Sequence, residues 1–320
     1  MPTYNGAEFL ESQINSILSQ TIVPDEIIIV DDGSDDGTLE LLSNFQNNHP
    51  NIINHFQNSS NIGVSGNFNK AIRYTTGDLI FLSDQDDIWE PEKIETQIDF
   101  VRESFADLVT HNSSIISEEG SRQGDLWSRK SFDLNSTKNS ADMFRHLLFN
   151  NNFVQGATLL LTRDFWEMIE PIPPEIEYDY YIALIGTVTS RLGLINQELL
   201  RYRQHSSQDV GAPRSSLFAD VRHSLNRTNP SYYQTRLRTW EEFGKFIESY
   251  PIPDDLSSYM RDVEHRRLYQ NNRFIIYNSS YSYTSRFKSY FNNLSNRYYH
   301  KFGGGSLTMF RDLLQILDIL

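Results

Sequence analysis

Apolar positions in the first hundred residues fall into two alternating periods. Leu10, Ile14, Ile17 and Leu18 stand at i, i+4, i+7 and i+8, one face of a helix. Ile27 to Val30 is a continuous β-branched run that empties into Asp31-Asp32-Gly33-Ser34, the pattern of a buried strand ending in a turn. A helix is predicted from about Gly37, carrying Leu41, Leu42 and Phe45, then a weaker strand from Ile52 to Phe56. Asn67 to Tyr74 follows as a helix around Phe68 and Ile72, and Leu79 to Leu82 as another buried strand. Pro91 suits a first helical position ahead of Ile94, Ile98 and Val101. Strand alternating with helix predicts an α/β, Rossmann-like fold with a doubly wound, mostly parallel sheet. In such sheets ligands gather outside the carboxyl ends of the strands, where both Asp-rich clusters fall.

From 107 to 205 the pattern is less regular. Asp107 to His111, Gly156 to Leu161 and Leu199 to Tyr202 read as strands, and Asp142 to Phe149 and Tyr180 to Leu192 as helices. After Pro213 the chain becomes helical and rich in Tyr, Arg and Asn. The expected organisation is therefore an α/β domain over 1–212 and a helical carboxyl-terminal region over 213–320. Charge follows the same division. Residues 1–212 carry 13 Lys+Arg and 32 Asp+Glu, net −19, and residues 213–320 carry 15 and 10, net +5, within a formal total of −14. A net-acidic chain lacks the basic surface that displaces counterions from phosphate, so nucleic acid is excluded as a general partner. Cysteine is absent, so any metal must be held by oxygen or imidazole. No apolar run approaches the roughly 20 residues that span a bilayer, and no basic segment leads into an apolar stretch, so a cytoplasmic, soluble protein is expected.

Two segments carry candidate chemistry. Asp84-Gln85-Asp86-Asp87 follows directly on the strand Leu79 to Leu82. Carboxylates at that spacing on a strand end can share magnesium or manganese with phosphate oxygens, although Asp is also common in turns with no function. In Asp31 to Thr38, a carboxylate at the strand tip can accept the imide N–H of a pyrimidine while the glycines permit close approach; the alternative is a turn with Ser34 capping a helix.

Pro2-Thr3-Tyr4-Asn5-Gly6, the helix ending Ser16 to Thr21, Asp31 to Thr38, Asn61-Ile62-Gly63, and Ser83 to Asp87 before Pro91 occur in the order found in family 2 glycosyltransferases, and the chain resembles that family over about 1–212. Tyr178-Asp179-Tyr180-Tyr181 and Arg201-Tyr202-Arg203-Gln204-His205 look like later motifs of its bacterial rhamnosyltransferase-like branch. The resemblance implies an inverting enzyme of the GT-A fold with a nucleotide-sugar donor, dTDP-L-rhamnose or a UDP-hexose. It also implies a glycan acceptor, lipid-linked in one reading, in capsule, cell-wall or O-antigen synthesis. By position, Pro2, Thr3, Tyr4 and Asp32 would hold the base, with Tyr4 stacking on it. Asp84 would approach the ribose or the sugar, with Mg2+ or Mn2+ held at Asp84 and Asp86. Asp87 and Arg203 would face the diphosphate or substrate, and His205 would be a further metal ligand or diphosphate contact. Asp179 matches the general base; read alone, it equally suits a helix cap. His205 has a structural alternative, and Asn61 and Asn67 have turn and capping alternatives to a nucleotide contact. A catalytically inactive, nucleotide-binding scaffold is a second function class, and a nucleotidyltransferase, without a Gly-rich phosphate loop to support it, a third.

At the carboxyl end Arg286, Lys288, Arg297 and Lys301 alternate with Tyr281, Tyr283, Phe287, Tyr290, Phe291, Tyr298, Tyr299 and Phe302. This pattern suits an amphipathic surface on the inner face of an anionic membrane, or a helical cap with a buried aromatic stripe. One departure from the family concerns Pro2 to Gly6, which there follows a buried hydrophobic strand. Only Met1 precedes it here, so the first strand is expected to be missing and Met1 to be internal to a longer natural chain.

Overall fold

The computed structural model describes residues 1–205 and 230–317 and divides them into two compact units. The first takes in 1–134, 153–174 and 190–205; the second takes in 135–152, 175–189 and 230–317. The boundary expected at 212/213 lies outside the described residues, and the second unit draws on two earlier stretches of chain as well as the carboxyl-terminal helices.

In the first unit, β1 (Pro2–Thr3) precedes α1 (Ala7–Leu18), β2 (Ile27–Asp31), α2 (Thr38–Asn48), β3 (Ile53–Gln57) and α3 (Gly63–Arg73). β1, β2 and β3 form a parallel sheet in that order, Pro2 facing Val30 and Ile27 facing Ile53. Every residue of β2 is buried, and a strand with both faces covered reads as a continuous apolar run, here Ile27 to Val30. The strand expected to be missing is represented by the two residues of β1. α3 begins at Gly63, four residues before the pattern predicts. The Asp32 carboxylate accepts the N–H groups of Ile62 and Gly63 at 2.9 and 3.0 Å, so a side chain remote in sequence satisfies the helix start.

The chain continues with β4 (Leu79–Phe81), β5 (Ile88–Trp89), α4 (Lys93–Ser104), β6 (Leu108–Ser117), β7 (Arg122–Asp125) and α5 (Leu126–Arg129). Then, after α6 (Ser140–Phe149) of the second unit, come β8 (Leu160–Thr162) and α7 (Arg163–Ile169), and after α8 (Tyr178–Val188), also of the second unit, β9 (Leu192–Gln204). The second sheet runs β4-β8-β6-β9-β5, with β7 beside β6. It is mixed: β6 and β9 are parallel, whereas β8 runs against β4 and β6, and β5 against β9. β4, β6 and β9 therefore point the same way and end at one edge. α4 starts two residues after Pro91, which lies in a turn closed by Lys93 N–H on the Glu90 carbonyl at 3.1 Å. β6 runs well past the apolar stretch that predicts it, because Thr110, His111 and Ser113 are buried between neighbours rather than exposed.

The second unit is helical. To α6 and α8 it adds α9 (Pro230–Ser249), α10 (Asp254–Ser257), α11 (Met260–Tyr277), α12 (Tyr283–Ser295), α13 (Tyr298–Phe302) and α14 (Ser306–Ile316). Its core is aromatic: Tyr233, Tyr269, Tyr277, Tyr290, Tyr298, Tyr299 and Phe302 are buried around Ile276 and Ile316. Buried tyrosines need partners for their hydroxyls, and a charged network supplies several. The Arg273 guanidinium pairs with the fully buried Asp312 at 2.8 Å and donates to the Tyr233 hydroxyl at 2.8 Å, while the Tyr277 hydroxyl donates to Asp312 at 2.9 Å. Arg286 donates to the Ile276 carbonyl at 2.9 Å and to that of Gln315, and Arg266 to the Phe302 carbonyl. Much of the positive charge counted in 213–320 thus staples helices together.

Removing one member of a buried ion pair leaves the other uncompensated, so Asp312→Ala should destabilise this unit by about 3–5 kcal/mol. Urea unfolding followed by tyrosine fluorescence measures it, and a loss below about 1 kcal/mol, the usual value of an exposed pair, would contradict the assignment.

Candidate active site

The site lies at the strand ends of the first unit and is built from carboxylates that the backbone holds in place. Asp31 and Asp32 end β2, and both are buried. Asp31 closes its own turn: its Oδ1 accepts the N–H groups of Gly33 and Ser34 at 3.0 and 2.9 Å, and its Oδ2 accepts the hydroxyls of Ser34 and Thr3. The turn needs Gly33, whose φ is 90°. Asp32 reaches the other way, accepting Asn58 Nδ2 at 2.8 Å as well as the two N–H groups at the start of α3. Asp36 accepts the hydroxyl and N–H of Thr38 at 2.6 and 3.0 Å and the N–H of Ala7 at 3.0 Å. Burial works against its charge, but these three donors hold its carboxyl below the ordinary range.

The loop after β1 is laced to this turn and to the acidic loop after β4. Asn5 N–H donates to Ser34 Oγ at 2.8 Å, and Gly6 N–H to Thr38 Oγ1 at 2.9 Å. The Gln85 amide clamps Tyr4 like a strand neighbour, accepting its N–H at 2.9 Å and donating to its carbonyl at 3.0 Å. A Cβ at position 6 would run into that amide and push it off Tyr4. With its backbone clamped, Tyr4 leaves its ring 48% exposed, free to stack on a planar ligand.

The decisive alignment comes from β5. Its antiparallel pairing sets Ile88 opposite Arg201, so the chain before β5 runs beside the chain after Arg201. Asp87 Oδ1 then accepts Arg203 N–H at 3.1 Å, Arg203 Nε donates to the Asp86 carbonyl at 3.1 Å, and His205 Nε2 lies 2.8 Å from Asp86 Oδ2. Phe9 supports this corner, its ring centroid 4.7 Å from that of His205 and 5.0 Å from the Arg203 guanidinium. Asp84 is half-buried. Asp86 and His205 meet in a direct hydrogen bond, and the carboxylate oxygens of this loop are the ligand type that Mg2+ and Mn2+ take. Among the described residues no group of three or more acidic or histidine side chains gathers for a metal. Two protein ligands still suit these ions, which complete their shells with water and phosphate oxygens.

Several expected residues are turned inward. Asp87 is fully buried against β9 instead of facing a diphosphate, because the β5–β9 register aims its carboxylate at Arg203 N–H. Arg203 is 7% exposed and spends its guanidinium on the carbonyls of Asp86 and Glu118. Thr3 is 2% exposed, its hydroxyl on Asp31, and Pro2 pairs with Val30 of β2. Asn61 accepts Gly63 N–H at 3.1 Å in a turn, and the buried Asn67 donates to the Val30 carbonyl at 2.8 Å. Asp179 lies in the second unit, in the first turn of α8, where its Oδ1 accepts Tyr180 N–H at 2.7 Å. Asp179 is the second residue of α8, whose N-cap is Glu177, so this bond to the very next N–H is not the bond to the second or third helical N–H that a cap makes. Gln85 and Phe9 carry no signal in the sequence, being an uncharged residue between acids and an aromatic beside a helical stripe.

Behind the acidic loop lies a second set of charges. Lys93 is fully buried, donates to Gln97 Oε1 at 3.0 Å and sits 3.9 Å from the Trp89 ring centroid. Burial pushes its pKa down to about 7, against the pull of Asp87. Burial, then Asp86 and Asp84, raises Asp87 well above the carboxylate range, and burial, then Lys93, holds His111 well below its ordinary value. Because the folded pKa of Lys93 lies below the unfolded one, its burial costs stability fully below pH 7 and progressively less as pH rises toward 10.5. The difference in unfolding free energy between Lys93→Met and wild type should therefore shift in favour of the wild type by roughly 1.4 kcal/mol per pH unit above pH 7. A difference independent of pH in urea titrations would show that Lys93 keeps its charge.

The sequence profile of glycosyl transferase family 2 matches residues 1–167, and the chain belongs to that family. It is 30% identical over 216 residues to an uncharacterised glycosyltransferase of Nostoc, covering 64% of each chain. It is 27% identical over 254 residues to the hyaluronan synthase of Pasteurella multocida, covering 78% of this chain and 24% of that one. A dTDP-rhamnosyl transferase, RfbG of Shigella flexneri, is 42% identical over 116 residues, 35% of this chain and 40% of the relative. The chain thus spans under two thirds of the length of these relatives. Among solved structures, a mannosyltransferase from Pyrobaculum calidifontis in complex with GDP-Man and Mn2+ superposes with a TM-score of 0.56 at 15% identity, covering 99% of this chain and 78% of that one. The fold is the GT-A fold.

Proposed function

We propose that the chain is an inverting, divalent-cation-dependent glycosyltransferase that moves a sugar from a nucleotide donor to a hydroxyl of a growing bacterial polysaccharide. The observation that carries this is the Asp86–His205 pair, set beside Asp84 and the exposed Tyr4 ring in a family 2 chain. Tyr4 would stack on the base, with Asp32 at the edge of that pocket. Asp32 Oδ2 accepts the Gly63 N–H at 3.0 Å, and a carboxylate oxygen can take two. Asp86 and His205 would hold Mg2+ or Mn2+, with Asp84 toward the ribose or the sugar, and the ion would supply charge neutralisation for the leaving diphosphate. The acceptor oxygen attacks the anomeric carbon, the bond from that carbon to the diphosphate breaks on the opposite face, and Asp179 takes the acceptor proton. Residues 1–212 would carry donor and acceptor binding.

For the donor we favour dTDP-L-rhamnose over a UDP-hexose, supported by the identity with the Shigella rhamnosyl transferase. A polysaccharide acceptor is supported by the likeness to a hyaluronan synthase, and metal dependence by the Mn2+ in the Pyrobaculum neighbour. The acceptor we take to be a lipid-linked glycan at the inner face of the membrane.

Incubation with Mn2+ and a panel of labelled nucleotide sugars tests this reading. The expected result is metal-dependent release of dTDP from dTDP-L-rhamnose; release from UDP-hexoses alone would move the donor, and nucleotide binding without turnover of any donor would favour a scaffold. Asp179→Asn should lower transfer about 100- to 10,000-fold while nucleotide affinity is kept, the range expected for a lost general base. Transfer at the wild-type rate would remove Asp179 from that role. His205→Ala should raise the half-saturating Mn2+ concentration roughly 10- to 100-fold, a range measured for disturbed metal sites, and an unchanged requirement would count against His205 as a ligand.

A further inference from the structure

The carboxyl-terminal helices solve the aromatic and basic pattern in two ways at once. Tyr290, Tyr298, Tyr299 and Phe302 go into the core, Arg286 is buried on carbonyls, and Lys301 pairs with Asp262. These residues are spent on the fold. What remains outside is a different set. α14 buries Ile316 and packs Met309 and Leu313 on the core, yet its other face leaves Leu307 77% and Phe310 58% exposed, three residues apart on one stripe. α12, which packs against α14, buries Tyr290 but leaves Phe291 and Leu294 exposed, and Tyr283 stands open at its start. Beside Phe291 and Leu294 an open groove of about 770 Å3 runs along α12, edged by Tyr281 and Lys288.

Charge says what such a face would meet. Residues 265–311 contain eight Lys+Arg and no Asp or Glu. Lys288 and Arg297 are exposed and have no carboxylate partner among the described residues. Asp312, the first carboxylate after this stretch, is buried and neutralised by Arg273. A second copy of the same face would set cation against cation with no acid to offset it. An anionic surface with an apolar interior is complementary to both features: headgroups take Lys288 and Arg297, and the acyl boundary takes Leu307, Phe310 and Phe291.

We propose that the exposed face of α12 and α14 is a docking surface for an anionic lipid leaflet, through Leu307, Phe310, Phe291, Lys288 and Arg297. It extends the reading of the acceptor as a lipid-linked glycan but does not depend on the donor. The face holds the enzyme at the surface where such an acceptor is anchored.

Cosedimentation of the full chain with large vesicles tests it, comparing phosphatidylcholine alone with phosphatidylcholine carrying about 30 mol % phosphatidylglycerol. The expected result is binding to the anionic vesicles only, falling at least about fivefold as salt rises from about 0.1 M to about 0.5 M. Leu307→Ser with Phe310→Ser should weaken binding at least about tenfold, and Lys288→Glu with Arg297→Glu about fivefold per charge. All four positions are on the surface, so circular dichroism and donor hydrolysis should match the wild type. Recovery of the wild-type protein in the supernatant with both vesicles overturns the proposal, as does binding indifferent to phosphatidylglycerol. A dimer in sedimentation velocity that the serine variant dissolves, without vesicle binding, assigns the face to a second copy instead. Vesicle binding without turnover of any donor would sink the transferase reading and leave this one standing.

Discussion

Carboxylates anchored on main-chain N–H groups hold the functional edge of the first unit together. Asp31, Asp32, Asp36 and Asp87 each accept at least one backbone N–H, and each such bond to a charged or polarised acceptor contributes about 1.5–3 kcal/mol. The arrangement turns a concentration of negative charge, which by itself would push the loops apart, into the device that fixes them. Asp31 shapes the turn after β2, Asp32 starts α3, Asp36 joins the beginnings of α1 and α2, and Asp87 registers β9. Asp86 instead meets the His205 ring.

That division of labour explains why neighbouring acids in one motif behave differently. Asp86 and Asp87 are adjacent, yet one side chain meets His205 and the other meets a backbone N–H on β9. Successive side chains beside a strand point to opposite faces, and the two-residue strand β5 is enough to impose this on the loop before it. The same pairing carries His205 to a carboxylate 119 residues away in sequence. Lys93 and His111 lie behind the loop in a dry interior, where burial drives both toward their neutral forms.

The second unit shows how far a charge count can mislead about a surface. Its arginines are long enough to cross from one helix to the next, and Arg266, Arg273 and Arg286 do so, meeting carbonyls, tyrosine hydroxyls and one buried carboxylate. A net of +5 over 213–320 therefore describes the glue of an aromatic core as much as a face. Lys288 and Arg297 are among the cations that reach solvent, and they stand near exposed apolar side chains.

The sequence by itself determined the elements whose signal is local. The runs at 27–30 and 79–82, the stripe at 10–18 and the ordered motifs were enough for the α/β class and the family. They sufficed because a buried strand and an amphipathic helix each write their periodicity into adjacent residues. The same motifs also named Asp86 and His205 before any contact between them was visible. Only the tertiary structure decided what depends on distant partners. The early start of α3, the length of β6, the antiparallel insertion of β8, and the inward turn of Thr3, Asp87 and Arg203 all follow from hydrogen bonds across tens of residues. Such bonds leave no periodic trace. A buried Asp or Arg looks the same in sequence as an exposed one until the strand or carbonyl that satisfies it is in place.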